Sequence, residues 1–105
     1  MKAVVVINFK VYKESVGKNA LVLAQKIAKA RKNGYEVIVA PSTLMLKEVV
    51  DKTNLSVFAQ HTDDVDVGAH TGRIPAAELA EIGVKGTILN HSERKIPLKH
   101  LAENV

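Results

Sequence analysis

The chain has 105 residues, 47% of them apolar, which supports one packed domain and leaves no room for two. It has no cysteine, so disulfides and thiolate metal sites are excluded. Its net charge of +4 comes with two tyrosines, two phenylalanines and no tryptophan. A nucleic-acid binder would want a basic face interleaved with aromatics, and Lys26, Lys29, Arg31 and Lys32 read instead as solvated charge at the negative end of a helix. The apolar run after Met1-Lys2 is too short for a signal peptide, and no stretch approaches membrane-spanning length. A cytoplasmic location is the default expectation, and it leaves the glycosylation patterns at Asn54 and Asn90 without meaning.

The first predicted element is a strand over residues 3–7, Ala3, Val4, Val5, Val6 and Ile7, a β-branched run of the kind buried on both faces. Next comes a helix in which Val16, Ala20, Leu23, Ala24, Ile27 and Ala28 recur at three- and four-residue steps. Asn33 and Gly34, both tolerant of left-handed backbone, are expected to end it. A second strand spans residues 36–40, followed by a helix that Ser42 or Thr43 could cap and that carries Leu46, Val49 and Val50. Residues 55–59 form a third strand. The connection after it, residues 60–74, is long, and such loops are often functional. A third helix starts at Pro75, a good first-turn residue, and closes near Gly83. A fourth strand over residues 86–90 and a fourth helix from Pro97 through Leu98, Leu101 and Val105 complete the series.

Four strand–helix units with continuously apolar strands predict an α/β fold with a parallel sheet and right-handed crossovers. Periodicity alone leaves two architectures open, a small doubly wound sheet or half of a closed barrel. In both, ligands bind beyond the carboxyl ends of the strands. Polar residues collect there: Asn8 and Lys10, Ser42, Gln60 and His61, then Asn90, His91, Ser92 and Glu93. Lys10 offers a compact cation for a phosphate or carboxylate, and the Asn8 amide can donate to a developing oxyanion. His91 stands between a buried strand and a helical turn, where the helix dipole disfavours imidazolium. A neutral ring there could donate to a carbonyl oxygen. His61, Asp63, Asp64, Asp66 and His70 scatter along the long loop with no metal-ligand spacing, so no metal is assigned.

The segments Asn8-Phe9-Lys10, Gly68-Ala69-His70-Thr71-Gly72 and Gly86 through His91-Ser92-Glu93-Arg94 together resemble the triosephosphate isomerase family. Gln60-His61 and the asparagine before His91 give the resemblance an archaeal flavour. It covers nearly the whole chain and implies four βα units of a (β/α)₈ TIM barrel, its N-terminal half. It implies His91 as the electrophile that polarises the substrate carbonyl and shuttles protons between two oxygens. By the same resemblance Lys10 holds the substrate electrostatically, Asn8 hydrogen-bonds near its oxygens, and Glu93 supports Lys10 as an ion-pair partner. Thr71 would reach into a neighbouring subunit's site in a homo-oligomer, dimer or tetramer. The reaction implied is the glycolytic and gluconeogenic interconversion of dihydroxyacetone phosphate and glyceraldehyde 3-phosphate through an enediolate, with no cofactor.

A full (β/α)₈ barrel takes about 250 residues, and the family's glutamate base, lid and phosphate-gripping loops belong to the later units. These 105 residues alone are therefore expected to be essentially inactive. Their first and fourth strands would be open edges that invite a C-terminal half barrel or a second copy of the chain. Two alternatives stand beside the isomerase reading. One is a non-catalytic, self-associating half barrel. The other is an unrelated small phosphate-binding module, which predicts a sheet covered on both faces.

Overall fold

The computed structural model describes residues 3–89, and within them the chain alternates strand and helix as its apolar pattern requires. Strands β1 (Ala3–Asn8), β2 (Tyr35–Ala40), β3 (Ser56–Ala59) and β4 (Gly86–Thr87) form one sheet in the order β1-β2-β3-β4. Every neighbouring pair is parallel, with Val6 opposite Ile38, Val39 opposite Val57, and Phe58 opposite Gly86. Helices α1 (Lys18–Ala30), α2 (Leu46–Lys52) and α3 (Ala76–Glu81) make the connections, and short 3₁₀ turns precede the first two. Sequential order without reversal is the arrangement of a barrel segment rather than a doubly wound sheet, whose strand order reverses at a switch point. The end of the fourth strand and the expected fourth helix lie outside the described residues.

The core fills the layer between sheet and helices. Ala20 and Ala24 of α1, Leu46 and Val49 of α2, and Leu79 of α3 are buried against Val39, Val57 and Ala59. Alternation along the strands puts Ile7, Val37, Val39 and Val57 on this helix-facing side. Val4, Val6, Ile38 and Phe58 take the other side, where Phe58 lies so close over Gly86 that a Cβ there would approach the ring to 2.7 Å. The expectation that the first strand is buried on both faces is not met. Val4 is 57% exposed and Val6 52% exposed. The reason is position: β1 ends the sheet order, and its second face belongs to the side away from the helices. The same exposure contradicts the covered sheet expected of an unrelated small module.

Element ends show where local chemistry departs from pattern. Helix α1 stops at Ala30, ahead of Asn33-Gly34, because Arg31 is already extended while its N–H still donates to the Ile27 carbonyl. Gly34 (φ 91°) instead turns the chain into β2. Ser42 and Thr43 lead into the second helix, but neither side chain caps it; a 3₁₀ turn over Thr43–Met45 intervenes. Pro75 sits one residue before α3 as its extended N-cap. The exit of α3 is as expected: Gly83 (φ 99°) donates to Ala80, and Val84 donates back to Leu79. These are the paired bonds of a Schellman ending, sealed by Val84 and Leu79 in the core. Among the described residues no helix is long and apolar enough to cross a membrane.

Candidate active site

The carboxyl ends of the four strands open onto one cleft of about 980 Å³. Its lining includes Asn8 at the end of β1 and Lys10 after it, Ser42 and Thr43 after β2, Gln60, His61 and Asp63 after β3, and Ile88 after β4. Parallel pairing is what gathers them, because every strand delivers its following residues to the same rim.

Lys10 is held in an unusual way. The β1–β2 ladder continues one step past the strand, with Phe9 N–H donating to Ala40 O at 3.0 Å. Phe9 is buried, and its carbonyl accepts from the Ser15 hydroxyl. With Phe9 pinned, the chain turns sharply, and Lys10 takes φ 52°, the one positive φ at a non-glycine among the described residues. Its N–H donates to Asn8 Oδ1 at 2.9 Å, and its carbonyl accepts from Gln60 Nε2 at 2.9 Å. Gln60 Nε2 also donates to Ala40 O at 3.0 Å, so one amide links the ends of β1, β2 and β3. The Lys10 ammonium lies 5.7 Å from the centroid of the Tyr12 ring, within cation–π range.

The long connection after β3 is closed at its base. Asp63 N–H donates to Ile74 O at 2.8 Å, and Asp63 Oδ2 accepts from Ile74 N–H at 2.7 Å. Asp63 Oδ1 lies 2.8 Å from His61 Nε2 and 3.6 Å from Arg73 Nη1. The Thr62 hydroxyl adds a bond to Ile74 O at 3.1 Å. Burial by itself would raise the Asp63 carboxyl, but the Ile74 N–H, the His61 ring and the Arg73 guanidinium together hold it below the usual carboxylate range. Beyond this clamp the loop runs exposed through Val67, His70 and Thr71 before Gly72 returns to the cleft wall.

Of the residues singled out from sequence, Asn8 and Lys10 thus share the cleft rim, and Thr71 stands on the exposed loop. His91 and Glu93 lie outside the described residues; the strand leading to them reaches the same cleft at Ile88, whose N–H donates to Ala59 O at 2.9 Å. The scattered acidic and histidine residues of the loop do not converge as a metal site: among the described residues no group of three or more such side chains could hold an ion. His61 and Asp63 form the clamp instead. Sequence reasoning placed Gln60 at the strand end and Asp63 in the loop but missed the bonds each makes there. The available signal was a polar residue directly following a buried strand, which placed Gln60 on the rim without naming its partners.

A family model described as triosephosphate isomerase matches residues 3–105. Among curated relatives, a triosephosphate isomerase of Archaeoglobus fulgidus is 48% identical over 104 residues, covering 97% of this chain and 46% of that protein. That of Methanothermus fervidus is 41% identical over 105 residues, covering 99% of the chain and 47% of the relative. That of Sulfolobus acidocaldarius is 40% identical over 103 residues, covering 97% and 45%. The chain spans about half the length of the curated relatives it matches. With a sequentially ordered parallel sheet and a polar cleft at its carboxyl rim, the chain belongs to the triosephosphate isomerase family.

Proposed function

We propose that these residues supply the N-terminal share of a triosephosphate isomerase active site, which interconverts dihydroxyacetone phosphate and glyceraldehyde 3-phosphate in the cytoplasm. The observation that carries the reading is the locked Lys10 backbone beside Asn8, on a cleft whose wall also includes the strand that leads to His91. In this reading a carboxylate base from the C-terminal half removes a proton from the substrate carbon next to the carbonyl. The electron pair moves onto the carbonyl oxygen, giving an enediolate. Lys10 stabilises the developing negative charge, and Asn8 hydrogen-bonds near the substrate oxygens. His91, neutral, donates to the oxyanion and passes the proton between the two oxygens. Glu93 supports Lys10 as an ion-pair partner, and Thr71 reaches a neighbouring subunit's site in a dimer or tetramer.

In this reading the base for carbon, a contribution of about 10²- to 10⁴-fold, comes from the C-terminal half, so negligible turnover is expected of the 105 residues in isolation. The test mixes the purified chain with the C-terminal half of the Archaeoglobus fulgidus relative. We expect no isomerisation by either part, turnover on mixing, and its loss with Lys10→Met. A stable complex that turns over no triose phosphate would overturn the assignment. Val4 and Val6, exposed on the edge strand, favour one further reading, in which the chain pairs with a second copy of itself and catalyses nothing. Sedimentation of the chain with and without the added half separates the two.

A further inference from the structure

We propose that Asn33 is a site of spontaneous deamidation, left chemically open by the turn between α1 and β2 and independent of the isomerase reading. Residues 33 and 34 are the exposed middle of a turn that Tyr35 N–H closes by donating to Lys32 O at 3.4 Å. Gly34 takes φ 91° and has nothing within 4 Å of where a Cβ would stand, so no side chain shields its nitrogen. Among the described residues nothing accepts from the Gly34 N–H, and nothing bonds to the Asn33 side chain. The other described asparagines, Asn8, Asn19 and Asn54, differ in this respect. The N–H that follows each is engaged: Phe9 donates to Ala40 O at 3.0 Å, Ala20 to Gly17 O at 3.0 Å, and Leu55 to Thr53 Oγ1 at 3.4 Å. The side chains of Asn8 and Asn19 are also tied to backbone groups.

The step needs only water. The Gly34 nitrogen gives its proton to solvent and attacks Asn33 Cγ, so that an N–Cγ bond forms. The Cγ–Nδ2 bond breaks, and Nδ2 leaves as ammonia after taking a proton from water. Arg31 and Lys32 line the same hollow of about 510 Å³, and nearby cations favour the anionic nitrogen and the oxyanion that precede the ring. Water then opens the succinimide at either carbonyl. One opening gives aspartate; the other gives isoaspartate, whose main chain runs through Cβ and is one carbon longer. That extra carbon falls where the sheet begins. Ala3 N–H donates to Gly34 O at 2.9 Å, the bond next to the Ala3–Tyr35 pair that starts the β1–β2 register. Isoaspartate displaces this carbonyl and loosens the sheet at the end opposite the cleft.

The test holds the chain in mildly alkaline buffer, digests samples over time and follows each asparagine by mass spectrometry, with isoaspartate identified by electron-transfer fragmentation. Conversion is expected at Asn33, at a rate comparable to that of the urea-unfolded chain and with isoaspartate among the products, while Asn8, Asn19 and Asn54 stay intact. Asn33→Gln is expected to abolish conversion at this site. In the isoaspartyl form, separated by ion exchange, hydrogen exchange at the Ala3 amide is expected to be about 3- to 10-fold faster, as loss of one hydrogen bond implies. Asn33→Asp keeps the backbone length and is expected to leave that amide as in the parent. Survival of Asn33 in the folded chain while it converts in urea would overturn the proposal. So would conversion to aspartate without isoaspartate, which requires no attack by the glycine, or conversion of Asn54 at an equal rate.

Discussion

The clamp at the base of the β3–α3 connection can be weighed by replacing Asp63 with alanine. The carboxylate accepts from Ile74 N–H at 2.7 Å and from His61 Nε2 at 2.8 Å, and its side chain is only 10% exposed. Hydrogen bonds to a charged group contribute about 1.5–3 kcal/mol each, and the cost of burying the carboxylate offsets part of that sum. The Arg73 contact, from a side chain that is 58% exposed, adds little. Alanine leaves the Ile74 and His61 donors without their acceptor, so a loss of about 2–4 kcal/mol is expected. Asparagine keeps one acceptor and should lose about half as much. The pH dependence follows from the direction of the shift. Asp63 titrates lower in the folded chain than in the unfolded one, so its stabilisation is complete above the ordinary aspartate value of about 3.9. It disappears as pH falls through the lower folded-state value. The gap between parent and Asp63→Asn should therefore be open at about pH 5 and close in stronger acid. Urea unfolding across that range measures the gap, and hydrogen exchange at the Ile74 amide locates it. An Ile74 amide that exchanges as slowly in Asp63→Ala as in the parent would refute the reasoning, as would a stability change below about 0.5 kcal/mol.

Gly83 ends α3 with φ 99°, and a Cβ there would come within 2.7 Å of Val50 Cγ1. Gly83→Ala should cost about 2 kcal/mol in urea unfolding, from left-handed strain and the displaced valine; a neutral result would mean the helix exit relaxes freely. On β1, Val6→Lys should leave stability within about 0.5 kcal/mol, since the side chain is half exposed. The same change should reduce self-association in sedimentation and block turnover with the added C-terminal half, because both need the uncovered face. Unaltered association would show that the contact lies elsewhere.

Strand and helix order was legible because β1 and β2 are rich in β-branched residues, α1 keeps a three-to-four spacing, and Pro75 and Gly83 bracket α3. What those patterns record is the burial a residue is suited to, and β1 shows the limit of that information. Val4 and Val6 have the composition of a doubly covered strand, yet exposure depends on whether a wall stands opposite, which no local window contains. Helix ends were legible where a single residue decides them. Gly83 is such a case, since its own bond to Ala80 and that of Val84 to Leu79 together require left-handed geometry at the glycine. Asn33-Gly34 is the opposite case: a turn signal read as a helix exit, although the helix had already unwound at Arg31 and the glycine serves the entry to β2.

The site divides the same way. Asn8 and Lys10 could be placed on the rim because they directly follow a strand, and a parallel sheet puts all such residues at one end. The bonds that govern them could not, because Gln60 reaches Lys10 across 50 positions and Ala40 across 20. Nor does proximity in sequence separate a metal cluster from a clamp. The loop spacing of His61 and Asp63 matches no metal motif, but it names no other partner either; that comes from the Ile74 N–H, which claims the second carboxylate oxygen. That choice has a mechanical result. With Asp63 fastened to Ile74, the two ends of the connection are joined, so the exposed segment carrying Thr71 projects from a fixed base beside the cleft. Under the proposed role of Thr71 at a neighbouring subunit, such a base matters more than internal order in the loop, since anchoring its ends removes part of the entropy that would otherwise oppose docking.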